Sequence, residues 1–414
     1  MRSGPKDIGS NGFMIAGLIL AVCLSTATCD SLNNDVKLSG IVHPDGKAFA
    51  GSQSCRGCHS SIHDSHSKTP HFLTSHPADT ASVKGNFDAS RNTFTLGDGL
   101  EVVMQRKGDK LYQVGYVDGM EVNARPMDIV IGSGRKGQTF LYWNNSELFQ
   151  LPVSYYSPLD AWCNSPGYPK DQILFNRNIS GRCLECHGTF FKSEKSNDQA
   201  EVFDRNQVML GVDCERCHGP AADHVTFHLA HPEERKAQRI INPDRLTRKQ
   251  KLDNCALCHS GIRKMIRPSF SFIVGDKLED YSIPDYAADE AANLDVHGNQ
   301  FGLLTASECF RKSDMDCSSC HDVHVRETGN LELFSRRCMN CHAPGTPEFC
   351  KQIETPGLLL TSNCIDCHMP ALPSSQVMLG MDDREQTIPD LVTTHRISIY
   401  SEEIKSYMKK IRED

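Results

Sequence analysis

One five-residue pattern, repeated seven times, constrains this chain more than anything else in it. The copies are Cys55-x-x-Cys58-His59, Cys183-x-x-Cys186-His187, Cys214-x-x-Cys217-His218, Cys255-x-x-Cys258-His259, Cys317-x-x-Cys320-His321, Cys338-x-x-Cys341-His342 and Cys364-x-x-Cys367-His368. With 19 cysteines and 18 histidines among 414 residues, chance supplies only about 0.04 copies. The pattern is that of covalent haem c attachment, in which two thiols bond the porphyrin and the adjacent histidine supplies one axial nitrogen to iron. Zinc knuckles are the rival use of Cys-x-x-Cys, but they do not require histidine directly after each pair. Seven covalently bound haem c groups, each with its iron, are therefore expected.

That expectation also accounts for the composition. The chain is long enough for two or three ordinary domains, yet only 39% of it is hydrophobic and 7% aromatic. Porphyrins are large apolar plates, and a chain that wraps them needs less aliphatic core of its own. The formal charge of -8 argues against nucleic acid as a partner. A basic redox partner protein or a neutral small substrate suits such a field, and oligomeric state is left open.

Residues 1–29 read as an export segment, with Arg2 and Lys6 before an apolar run from Phe13 to Leu24. Ser25-Thr26-Ala27 suits a cleaved signal peptide, Cys29 suits a lipoprotein signal, and an uncleaved anchor is the third reading. All three place the chain in the periplasm or elsewhere outside the cytoplasm, and two attach it to a membrane. There, thiols outside the attachment motifs meet oxidising conditions. Cys309 and Cys350 are expected to form a disulfide, leaving Cys163 as a buried thiol.

Residues 30–91 form an N-terminal segment carrying the first motif, with histidines at 63, 66, 71 and 76 just after it. Residues 92–156 hold no motif, and alternating runs such as Tyr112, Val114 and Tyr116 between Gly/Asp turns predict a small antiparallel β insert. Gly132-Ser-Gly134-Arg-Lys-Gly137 matches a dinucleotide fingerprint literally, but β-type sequence follows it, so it reads as a glycine turn. Trp162, Tyr155 and Tyr156 belong to a Pro- and aromatic-rich stretch expected to form an irregular wall, in reach of a porphyrin. Residues 157–414 carry the other six motifs and end in a helix with Ile404, Tyr407, Met408 and Ile411 on one face. The predicted class is a mainly α and irregular fold organised around stacked haems, with the β region as its insert.

Seven histidines lie in the motifs and eleven outside them, enough to give every iron a second imidazole. Three blocks resemble multihaem cytochromes of the cytochrome c554 type, a superfamily that includes hydroxylamine oxidoreductase-like and pentahaem nitrite reductase-like proteins. They are Cys55 to His59 running on to Lys68-Thr-Pro-His71, the Gly211-Val-x-Cys-Glu-x-Cys-His-Gly-Pro220 block with His224, and Cys317-x-x-Cys-His-Asp-Val-His324. The resemblance implies that His71, His224 and His324 are distal ligands, often of a haem remote in sequence. His228, His297 and His395 are further candidates by placement, and His43 or His76 would complete the set. No Cys-x-x-Cys-Lys occurs, and seven motifs fall short of the eight haems of the hydroxylamine oxidoreductase type. Electron transfer along mostly bis-histidine haems is thus the expected function. The alternative is an oxidoreductase acting on a small nitrogen or sulfur compound at one open iron, flanked by Arg135, Lys136 or Arg263.

Overall fold

The computed structural model describes residues 38–97, 99–169, 171–195, 201–351, 360–381 and 387–413. The export segment at residues 1–29 lies outside these. Among the described residues no helix is long and apolar enough to cross a membrane.

The expectation of a mainly α fold with a small β insert is corrected. Seventeen described strands form five sheets, and they extend well beyond residues 92–156. Thr93–Gly97, Leu100–Lys107, Lys110–Val117 and Met120–Pro126 make a four-stranded antiparallel meander. A seven-stranded sheet begins earlier, at Ser75–Pro77, takes in Ile129–Ile131, Gly137–Asn144, Glu147–Gln150 and Val153–Tyr156, and runs on through Ala161–Asn164 to Arg177–Asn178. Two hairpins lie among the motifs, Gly188–Lys195 with Glu201–Leu210 and Arg263–Met265 with Ser282–Pro284, and a third, Ala371–Gly380 with Thr387–Thr393, follows the seventh.

Local chemistry explains why these strands are hard to read. The first hairpin shifts register twice, between Gly188 and Phe190 and between Phe191 and Ser193, so its apolar residues do not keep a period of two. The last hairpin shifts between Pro373 and Met378 and carries Pro389 in its second strand, residues that ordinarily argue against a strand. Helices are short at several motifs, although the fourth motif ends a twelve-residue helix, Arg248–His259. Cys214–His218 and Ile365–His368 each span about one turn, which is all the spacing of two thiols and a histidine requires.

The sheets have their own apolar core, built from Val102, Met104, Phe140, Leu151, Val153 and Trp162 among others. Trp162 is part of it, packed edge-on to Phe87 and Tyr155 with its indole N–H donated to Asn86 O at 3.0 Å. The wall expected around Trp162 is therefore a β-sheet core. Gly132 and Gly134, at φ 107° and 74°, turn the chain between Ile129–Ile131 and Gly137–Asn144, the role expected of that glycine run. A second core joins Phe49, Leu141 and Leu148 to Phe190, Phe191, Phe203 and Phe270, tying the large sheet to the second and third motifs. The C-terminal helix Ser401–Glu413 buries Met408, and Tyr407 accepts a hydrogen bond from Asn363 beside the seventh motif.

Candidate haem sites

Each attachment histidine can bind metal only through a nitrogen carrying no proton. Nδ1 of His218, His342 and His368 donates to the carbonyls of Ile241, Glu348 and Ser398, each at 2.9 Å. Nδ1 of His259 donates to Gln300 Oε1 at 3.2 Å, and that of His187 lies 3.0 Å from Thr74 Oγ1. Fixing Nδ1 in this way leaves Nε2 as the free lone pair, the outer-shell arrangement typical of metal-bound imidazole.

Histidines remote in sequence stand opposite three of these rings. His324 faces His218 with ring centres 6.2 Å apart, His395 faces His321 at 6.2 Å, and His71 faces His259 at 6.0 Å. A metal–imidazole bond is about 2 Å, so two imidazoles on opposite sides of one iron have ring centres roughly 6 Å apart. The residues fit the group that the motifs demand. Burial, the largest cause, pushes His71, His187 and His395 down to about 4, which keeps them neutral at ordinary pH. His297 lies within electrostatic reach of His187, and His224 of His59, with His224 Nδ1 donated to Gln238 O at 2.7 Å. His228 packs against His224 at 4.6 Å, and its Nε2 is buried without a partner.

His66 shows why proximity alone is a poor guide. Its ring centre is 6.1 Å from that of His324, but Nδ1 lies 3.1 Å from Val323 O and Nε2 3.0 Å from Val212 O. A carbonyl oxygen stands in front of each nitrogen, so neither has room for a metal, although the neutral ring can donate its single N–H to only one of them. His76 bonds Pro77 O through Nδ1, and His43 pairs with Asp45 at 2.9 Å.

The motifs themselves meet in twos. The thiol of Cys55 lies against that of Cys214, Cys186 against Cys258, Cys255 against Cys317, and Cys338 against Cys364. Among the described residues no group of three or more Cys, His, Asp or Glu side chains gathers as a metal ion would need. Four-coordinate zinc would require such a gathering.

Two carboxylates inside attachment loops organise this packing, and sequence reasoning missed both. Glu215, 3% exposed, accepts the backbone N–H groups of Ala50, Gly51 and Ala221 at 2.7–2.8 Å, clamping the chain before the first motif onto the third. Glu185, 1% exposed, receives Arg182 at 2.9 Å and the Phe270 N–H at 2.7 Å, and Arg216 of the third motif stands 3.9 Å away. Their signal lies in position, since each is a charged residue at a variable place within its own Cys-x-x-Cys. His63, also passed over, has a buried Nε2 with no partner.

Three expectations fail here. Cys309 and Cys350 are both unpaired thiols. Cys309 lies beside Cys341 and Cys320, whereas Cys350 lies beside Cys367, so the two are held at different motifs. Lys136 is committed to buried Asp390 at 2.9 Å, an acid that Tyr156 also engages. Arg263 is buried, with its guanidinium bonded to Ser260 and Ser282 at 2.6–2.8 Å. Neither cation is free to flank an iron, and Arg135 has Arg326 as its charged neighbour.

In its attachment motifs and in its fold, the chain is similar to multihaem c-type cytochromes. The profile of the cytochrome c554 and c-prime family matches residues 169–219, which hold the second and third motifs. In fold the chain is similar to the crystal structure of the outer cell wall cytochrome OcwA, with a TM-score of 0.52 and 15% identity over 86% of this chain and 81% of that one. No curated protein matches the chain.

Proposed function

We propose that the chain is an extracytoplasmic electron carrier with seven haem c groups, most of whose irons take a second histidine from a distant part of the chain. His324 serves the His218 site, His71 the His259 site, His395 the His321 site, His297 the His187 site and His224 the His59 site. The observation that carries this reading is the set of three imidazole pairs at 6.0–6.2 Å, each joining a motif histidine to one remote in sequence. When bound, haem c supplies a one-electron iron couple.

The protein's part is to hold neutral imidazoles in fixed orientation, exclude water from them and keep neighbouring sites close. Burial does the first two at His71 and His395. Close packing is supported by the thiol contacts, which join the first motif to the third, the second to the fourth, the fourth to the fifth and the sixth to the seventh. Cys217 lies within electrostatic reach of Cys255 and Cys258, and Cys320 of Cys341, linking these pairs into one row from the first motif to the seventh. The second motif branches from the fourth. An address outside the cytoplasm is supported by the basic and apolar start of the sequence and by the likeness to an outer cell wall cytochrome.

Denaturing mass spectrometry of the mature protein tests the reading, with seven haem additions expected. Replacing both cysteines of one motif by Ala should remove one addition. Fewer than six additions in the unaltered protein would contradict it.

A further inference from the structure

All eighteen histidines fall within the described residues, so the supply of second ligands can be followed to its end. Five non-motif histidines stand near the first five motifs. Of the other six, four meet polar partners, while His63 and His228 each keep a buried Nε2 with no partner but stand beside Phe72 and His224 rather than beside His342 or His368. His43 is held by Asp45 and lies edge-on to Phe49, His63 lies edge-on to Phe72, and both nitrogens of His66 meet carbonyls. His76 is tied to Pro77 O in a strand, while His228 and His231 pack on Phe227. Among the described residues, no imidazole stands opposite His342 or His368. Both are nonetheless prepared as first ligands, with Nδ1 donated to a carbonyl at 2.9 Å.

These two sites are also neighbours. The Cys338 and Cys364 thiols lie against each other, and Ser335 Oγ accepts the Cys364 N–H at 2.9 Å. They form the C-terminal end of the row, and Cys341 and His342 are exposed to solvent. We propose that the sixth and seventh motifs form a paired site for small lone-pair donors, at which two adjacent irons keep an exchangeable sixth position while the remaining five are closed by histidine. The ligands that fit are diatomic or triatomic molecules and anions, because no imidazole of the described residues stands across from His342 or His368 to take the sixth position.

This rests on the reading that every motif holds haem c, so the test begins by counting haems in the full-length holoprotein by mass. A low count would overturn the carrier reading itself. With seven haems present, the dithionite-reduced protein is titrated with carbon monoxide, and about two equivalents per chain are expected. Near-infrared magnetic circular dichroism of the oxidised protein should show about two high-spin or water-ligated haems to five bis-histidine ones. Replacing Cys338 and Cys341 by Ala should lower the carbon monoxide count to one. If that variant fails to fold, His395→Ala, which opens the fifth site, should raise the count to three. Binding of no carbon monoxide, or a count unchanged by both variants, would overturn the paired site. A methionine–iron band that disappears in Met408→Leu would also overturn it, since buried Met408 sits on the helix that packs over the seventh motif.

Discussion

His218 and His324 face each other with ring centres 6.2 Å apart and planes 28° apart, although one belongs to the third attachment motif and the other follows the fifth. His66 stands as close to His324, at 6.1 Å, yet a backbone carbonyl lies 3.0–3.1 Å from each of its nitrogens. The two neighbours should therefore respond differently to mutation. His324→Ala is expected to convert one low-spin haem to a high-spin or water-ligated state, read by electron paramagnetic resonance, and to leave the rest unchanged. His66→Ala should alter no haem. It should instead cost about 1–3 kcal/mol of stability, because the carbonyl that takes the ring's single N–H loses that partner. Loss of a low-spin signal in the His66 variant would reverse the assignment.

Glu215 is expected to matter for folding more than its place in a variable position suggests. Glu215→Gln keeps the side chain's shape but turns an N–H group toward one of the three N–H donors that the carboxylate now accepts. A loss of about 2–4 kcal/mol in denaturant unfolding is predicted, together with poorer retention of the first haem. An unchanged midpoint would show that the clamp is dispensable.

Asp213, beside the third motif, gives stability a particular pH dependence. Burial first, then the charge of Glu215, raises its pKa from 3.8 to about 7. Between those values the folded chain holds a proton that the unfolded chain has lost. Stability therefore falls as pH rises from about 4 to about 7, by about 1.4 kcal/mol per unit of displacement. Asp213→Asn should flatten this slope while retaining the cap on Glu215 N–H at 3.0 Å. A slope that survives the substitution would locate the titration elsewhere.

Cys309 and Cys350 should both label with a thiol reagent in the native protein, each being half-buried and unpaired. Cys163, 1% exposed and with burial pushing its thiol up to about 12, should label only after unfolding. Peptide mapping without reductant checks both statements. A peptide joined through Cys309 and Cys350 would contradict them.

How much of this was legible in the chain depends on how local each feature is. An attachment motif is complete within five residues, so the cytochrome class could be read directly. The meander from Thr93 to Pro126 could be read as β because Tyr112, Val114 and Tyr116 alternate between Gly/Asp turns. The hairpins at Gly188–Lys195 and Ala371–Gly380 could not, since bulges and prolines break that period. Non-local features fared worst. A disulfide between Cys309 and Cys350 was inferred from cysteine supply, but supply does not say which motif each thiol packs against. Lys136 and Arg263 looked available as free cations, and only folding reveals that Asp390, Ser260 and Ser282 have claimed them. Glu185 and Glu215 gave no local sign at all, because their partners lie in other segments of the chain.

The central claim is that histidines from distant segments close the irons of attachment motifs, and locating the irons tests it most directly. Crystallography of the holoprotein at the iron absorption edge should show seven iron sites per chain. One is predicted between His218 and His324, one between His259 and His71 and one between His321 and His395. Fewer than six irons, or any of those three pairs without an iron between them, would contradict the account.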